Sequence, residues 1–173
     1  MTGPWRWPLA SNEIRGGSKR NTFGDDVRVN RDGSTRAHQG WDFAAPIGTP
    51  CRAIGAGVVS VVVDSGDYGL QILIRQDDQH EGAPVWAFYA HLSSAAVRVG
   101  DRVAPAQVIG ATGESGNARG MAAEDQHLHF EVRTELRPGR GLAGRISPLE
   151  LYGTCPLHAP VGVGHADRQL EAF

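Results

Sequence analysis

The chain has almost no cysteine. Two of its 173 residues, Cys51 and Cys155, are too few for a disulfide scaffold, and neither belongs to a C-x-x-C pair of the kind that builds zinc knuckles or redox motifs. Cys51 precedes Ala53-Ile54 and reads as a small buried hydrophobe without a partner, with one long-range bridge to Cys155 as the alternative. Long apolar runs are missing as well: nothing approaches the roughly 18 residues that a membrane span needs. The first 20 residues hold no extended apolar stretch, so no secretory signal is visible. An excess of charge of either sign is lacking. With 17 basic and 19 acidic residues the formal charge is -2, which offers nucleic acid no bulk attraction. Helical periodicity never persists beyond a turn or two, which argues against a bundle.

What the chain does have is glycine, 23 residues, and proline, 10 residues, the composition of a turn-rich β architecture. At 18.5 kDa, with 40% apolar and 21% charged residues, it has the material for one ordinary core. Strands are expected at Val58–Val63, Leu70–Ile74, Val85–His91, Val108–Gly110 and His127–Arg133, with short extended pieces around Gly100-Asp101. Asp77–Gly82 reads as a polar hairpin loop. The helix candidates are two short stretches, Ser94–Ala96 and Pro148–Tyr152. The expected fold is mainly β: an antiparallel, barrel-like sheet with little helix, and long loops at Gly113–Gln126 and Arg137–Ser147 placed to line a groove. Residues 1–35 read as an irregular arm pinned to the body by Trp5 and Trp7, residues 36–153 as the domain proper, and 154–173 as a tail without pattern.

Four of the seven histidines lie in patterned sequence. His127 and His129 are two apart on one strand, so both imidazoles share a face, with Leu128 and Phe130 on the other. His38 and Asp42 are four apart, which a strand or a helix places on one side, and Gly40 argues against the helix. His91 ends the aromatic strand. Each pattern alone also fits a bland reading: a solvated strand face, a His–Asp hydrogen bond at a turn, a satisfied histidine at a strand rim. Together they suit catalytic zinc, which takes three protein ligands and leaves one position open. His38, Asp42 and either His127 or His129 would supply the three; the remaining histidine and His91 would transfer protons beside the metal. Glu131 either orients a ligand from behind or is a surface carboxylate. Tyr68, Trp86 and Tyr89 either touch substrate or pack in the sheet. His80, His158 and His165 read as solvated, and Asp64 and Asp67 as turn residues.

The segment from His38-Gln39-Gly40-Trp41-Asp42 to Pro50, the Tyr89-Ala90-His91-Leu92-Ser93 stretch and the His127-Leu128-His129-Phe130-Glu131 strand resemble, in that order, the signatures of the lysostaphin-like M23 family of peptidoglycan metallopeptidases. The likeness runs from about Asn21 to Tyr152. It implies a Zn²⁺ hydrolase of cell-wall peptides, with His38, Asp42 and His129 as metal ligands. His91 and His127 would be the two histidines beside the metal that polarise water or stabilise the tetrahedral intermediate. The implied reaction is endopeptidase cleavage of D-Ala–diaminopimelate cross-links, with carboxypeptidase action on stem peptides as a related reading. A non-catalytic wall-binding or activator module on the same fold is the alternative. One departure stands out: the approach to the H-x-H pair, Gly113–Gln126, is longer than usual. With Arg133-Thr134-Glu135 and Gly144–Pro148 it is similar to members delivered by type VI secretion systems. That likeness implies an antibacterial effector acting in the periplasm of a target cell, with a secretion-system component and a cognate immunity protein as partners.

Overall fold

The computed structural model describes residues 5–162. In chain order its elements are β1 (Ser11–Asn12), β2 (Gly24–Val29), β3 (Thr35–His38), β4 (Trp41–Ala44), β5 (Pro50–Arg52), β6 (Gly57–Ser65), β7 (Gly69–His80), β8 (Ala83–Ala95), β9 (Arg102–Val103), β10 (Val108–Thr112), β11 (His127–Arg133), β12 (Arg145–Ile146), α1 (Pro148–Tyr152) and β13 (Val161–Gly162). Every strand pair is antiparallel, as short connections require. Nine strands form one sheet in the order β12-β11-β8-β7-β6-β9, with β4 added to β11, β10 to β8 and β5 to β10. The architecture is mainly β with little helix, as the composition implies, but the sheet stays open and the barrel-like closure does not occur. No helix among the described residues is long and apolar enough to cross a membrane.

Three local expectations fail, each for a physical reason. Residues 77–80 are not loop. They continue β7 against β8, with Gln79 opposite Pro84 and His80 opposite Ala83. The turn shrinks to Glu81-Gly82, both at positive φ (50° and 80°), which is the two-residue hairpin geometry that matches strand twist. The end of this hairpin is solvated, so its composition imitates a loop. Ser94 and Ala95 are strand, because β8 runs on to pair with Ala111 and Gly110 of β10, and ladder pairing outweighs the helical preference of alanine. The arm is not wholly irregular: β2 pairs with β3, and short 3-10 turns at Arg15–Gly17 and Lys19–Asn21 precede it.

The arm is packed against the body. Trp5 and Trp7 are buried, and Trp7 stacks on Tyr152 with ring centroids 4.0 Å apart. The Tyr152 hydroxyl donates to the Arg6 carbonyl (3.0 Å), and the Arg6 amide to the Ile54 carbonyl (2.7 Å). Helix α1 holds Tyr152 in place: Ser147 accepts from the Leu149 amide, Pro148 opens the first turn and Gly153 closes the last at φ 65°. Cys51 is buried and Cys155 half-buried, and both are free thiols.

Strand β11 positions the site. It lies between β8 on one edge and β4 followed by β12 on the other. Leu128, Phe130 and Val132 enter the main core with Trp41, Phe43 and Tyr89, while His127, His129, Glu131 and Arg133 take the opposite face. Gly40 turns the chain from β3 into β4 directly over this strand. A Cβ there would meet the Phe130 carbonyl oxygen at 2.2 Å, so β4 could not keep its place. Gly40→Ala is expected to cost at least about 3 kcal/mol, the upper range for overpacking, read as a lower urea midpoint with unchanged slope.

Candidate metal centre

The register of β4 on β11 sets Asp42 directly opposite His129, and His38 arrives from the end of β3 just before the Gly40 corner. The intervening Gln39-Gly40 breaks the strand, so the two residues meet through a corner and not along one continuous strand. His38 Nε2, Asp42 Oδ1 and His129 Nδ1 form a triangle with sides of 3.1, 2.9 and 3.2 Å. All three residues are buried.

The outer hydrogen bonds decide which ring nitrogens face inward. His38 donates Nδ1–H to the Thr22 carbonyl (3.0 Å), and His129 donates Nε2–H to Glu131 Oε1 (3.0 Å). That leaves two imidazole lone pairs and a carboxylate oxygen converging on one point. Three acceptors facing one another repel unless a cation lies among them. Burial pulls the His129 pKa down, but the hydrogen bonds to Asp42 and Glu131 outweigh it and raise it to about 9. Burial likewise pushes the Asp42 carboxyl up, and the hydrogen bond from His129 with the adjacent His38 ring holds it well below the usual carboxylate range. A tetrahedral zinc with bonds of about 2.0–2.1 Å sets its donors about 3.3 Å apart, so two imidazoles and a carboxylate in this triangle fit that ion.

A second set of groups fixes these three residues from behind. Glu131, fully buried, accepts from His129, from Arg133 Nε (2.7 Å) and from Arg145 Nε (2.8 Å), and lies 2.8 Å from the Tyr68 hydroxyl. Its carboxyl is held far below the ordinary range: the bond from His129 and the neighbouring Arg133 outweigh burial. Glu131 is therefore no surface carboxylate. Tyr68 also stacks on His129, and burial together with Glu131 keeps its hydroxyl protonated. The outer oxygen of Asp42 accepts from Arg28 (2.7 Å) and lies 3.4 Å from Arg15. Sequence patterning gave no hint of these arginines, which come from the arm.

His91 and His127 flank the triangle, their rings 5.1 Å apart. His91 sits where β8 exchanges β11 for β10 as its neighbour, at φ 60°, a rare conformation for a side-chain-bearing residue. The kink turns the imidazole out of the ladder and into the cleft. Its Nδ1–H goes to the Ser115 carbonyl (3.0 Å), and that of His127 to the Asp125 carbonyl (2.8 Å), so each keeps Nε2 for other work. Burial, with His129 and His127 close by, lowers the His91 pKa to about 4; burial and the adjacent Arg15 lower that of His127 against the pull of Asp42. Both shifts favour the neutral ring.

The five residues thus share one cleft of about 560 Å³, to which the two long loops contribute Asn117, Met121 and Arg140. Of the histidines read as solvated, His158 is exposed, but His80 is half-buried with Nε2 3.6 Å from Glu150; His165 lies outside the described residues. Asp67 lines the cleft mouth in addition to forming its turn.

Comparison with known proteins gives a consistent picture. Residues 36–140 match the sequence profile of peptidase family M23. The DD-carboxypeptidase/endopeptidase Mpg of Neisseria meningitidis serogroup B is 38% identical over 103 residues, 60% of this chain and 21% of that protein. The chain thus spans about a fifth of the length of such curated relatives. A zinc-containing peptidase from Vibrio cholerae superposes with a TM-score of 0.65 at 26% identity, covering 88% of this chain and 41% of that one. The catalytic domain of the antimicrobial peptidase lysostaphin from Staphylococcus simulans gives 0.59 at 28% identity, covering 77% and 90%. The carboxylate behind His129 has a measurable consequence: Glu131→Gln should weaken metal binding about 10- to 100-fold, the usual effect of losing such a partner. Competition against a chromogenic chelator reads this directly.

Proposed function

Because the chain belongs to peptidase family M23, we propose that it is a zinc-dependent peptidoglycan endopeptidase in which His38, Asp42 and His129 hold the metal and His91 and His127 serve the reaction beside it. The observation that carries this reading is the triangle of facing acceptor atoms at the floor of a cleft flanked by two neutral imidazoles. The substrate class is supported by the names of relatives, among them a DD-carboxypeptidase/endopeptidase and a peptidoglycan DD-endopeptidase. The bond assigned is the D-Ala–diaminopimelate cross-link.

Zinc, when bound, supplies a Lewis acid for the peptide carbonyl and a water of lowered pKa. The chain does the rest. His129 and His38 keep their tautomers because Glu131 and the Thr22 carbonyl hold the outer protons. His127 and His91 each hold Nδ1–H on a backbone carbonyl, so a proton taken from the attacking water arrives at Nε2 and leaves from there to the departing amine. A ring so protonated becomes a donor to the developing oxyanion, an interaction typically worth about 3 kcal/mol. Tyr68 is committed to Glu131 and Gln39 and serves position, not proton transfer.

The likeness of Gly113–Gln126 and of Gly144–Pro148 to type VI effectors extends the proposal to delivery into the periplasm of a recipient, countered by an immunity protein that plugs the cleft. Toxicity confined to periplasm-directed expression is the expected result. Lysis from cytoplasmic expression alone would count against a wall target.

Incubation with purified sacculi should turn muropeptide dimers into monomers in mass spectra; loss of terminal D-Ala alone would make the enzyme a carboxypeptidase. His129→Ala should lose metal and activity together. His91→Ala should keep its metal and lose about 10²–10⁴-fold in kcat. Metal retained by both variants would overturn the ligand set, and wild-type protein without stoichiometric zinc would favour a non-catalytic wall-binding module.

A further inference from the structure

The chain as a whole carries a charge of -2, yet its cleft is cationic. Arg15, Arg28, Arg36 and Arg140 line it against two carboxylates, Asp42 and Asp67. Two of these arginines are occupied. Arg15 is spent on Asn21, Asp42 and the Asp125 carbonyl, and Arg28 on Asp42 and the Arg20 carbonyl. Arg36 and Arg140 form no ion pair among the described residues, and both are exposed at the cleft on the His38 side.

Their placement is organised in advance. Arg36 is two residues before His38 on β3, so it shares that residue's face. Arg140 lies in a loop that Arg145 clamps on both sides of it, donating from Nη1 to the carbonyls of Gly139 (2.8 Å) and Gly141 (3.0 Å). Gln39 ties the two elements together by donating to the same Gly141 carbonyl (3.2 Å). Arg145 in turn rests on Glu131, so the loop that presents Arg140 is joined to the support of His129. Guanidinium groups carried on backbone fixed this way favour carboxylates, which they grip through paired N–H donors, and a positive cleft on a negative protein draws anionic ligands inward.

We infer that Arg36 and Arg140 form a carboxylate-binding subsite that recognises a free carboxylate of the peptide beside the scissile bond. The inference rests on the peptidase reading above and narrows its substrate to stem peptides whose carboxylates are not amidated. A neutral cross-bridge offers such a subsite nothing. The two arginines are specificity residues: among the described residues no hydrogen bond or ion pair joins them to the proposed metal ligands or to His91 and His127.

The test uses the full chain and synthetic cross-linked stem-peptide dimers with free carboxylates, fully amidated, or amidated at only the diaminopimelate carboxylate beside the cross-link, only the glutamate α-carboxylate or only the chain terminus. Dissociation constants are read by calorimetry, and kcat and KM separately where turnover occurs. Wild-type protein should bind the free peptide about 10- to 100-fold more tightly than the amidated one, the range for a hydrogen bond to a charged group. Arg36→Gln/Arg140→Gln should abolish the discrimination, with the loss in KM, and the paired lysine variants should restore part of it. The singly amidated peptides assign the carboxylate. Equal binding of free and amidated peptides by the wild type, or discrimination that survives the double glutamine variant with its circular dichroism unchanged, would overturn the inference. Because binding is read apart from turnover, the two readings fail separately. Discrimination without hydrolysis sinks the peptidase and leaves the subsite; hydrolysis without discrimination does the reverse.

Discussion

The register of β4 against β11 is the constraint on which the cleft depends. Asp42 and His129 are 87 residues apart in the chain and directly opposite across a ladder. A slip of one residue would send His129 into the core and bring Phe130 to the metal face, because side chains alternate along a strand. The apolar set Leu128, Phe130 and Val132 forbids that slip, since it is buried against Trp41, Phe43 and Tyr89. The hydrophobic core therefore aligns the polar site: its register is imposed from the opposite side of the same strand.

Charge is arranged in two tiers around that register. The inner tier is the acceptor triangle. The outer tier alternates in sign, with Glu131 behind His129 and Arg28 and Arg15 behind Asp42. Each of the three residues is thus backed by a group that fixes its orientation, the neutral Thr22 carbonyl in the case of His38. Burying this many ionised groups is costly in isolation and becomes tolerable only when each is paired and hydrogen-bonded. Glu131 meets that condition with three N–H donors, and Arg133 adds a face-on contact with Phe88 at 3.6 Å. The network explains why an otherwise apolar sheet can keep a charged face under its long loops.

Much of this was legible in the sequence, and the reason differs by element. The Val-rich run of β6 and the alternation of β11 announce themselves because each is dictated by burial over several residues. The candidate metal residues were nameable because their types are rare and their spacing survives in one dimension. The supporting arginines were not. Arg15 and Arg28 lie in the arm, where glycine and polar residues hide a two-stranded hairpin, and nothing in their local spacing tells that they fold back onto Asp42. Residues 77–80 imitate a loop for a related cause: a solvated hairpin end has no buried face, so hydropathy cannot distinguish it from one. Glu131 stayed undecided because its burial depends on Arg145, 14 residues away.

His91 shows how the long loop can vary without disturbing the chemistry. A side-chain-bearing residue at positive φ costs about 1–3 kcal/mol and persists only where its surroundings over-determine it. Three contacts do so here. The His91 amide donates to the Tyr68 carbonyl, its Nδ1–H to the Ser115 carbonyl, and Ser115 Oγ to the Leu92 carbonyl. Ser115 in turn accepts from the Leu70 amide, and its neighbour Gly116 packs so closely on Gly69 that neither position admits a Cβ. Ser115 and Gly116 are thus welded to the sheet and hold the strained histidine. The next stretch, Asn117 to Glu124, reaches the cleft with Asn117 and Met121 and is otherwise mostly exposed. Lengthening the loop there would alter the cleft wall and leave the support of His91 in place, so under the proposed function substrate choice and catalytic geometry would be carried by separate parts of one segment.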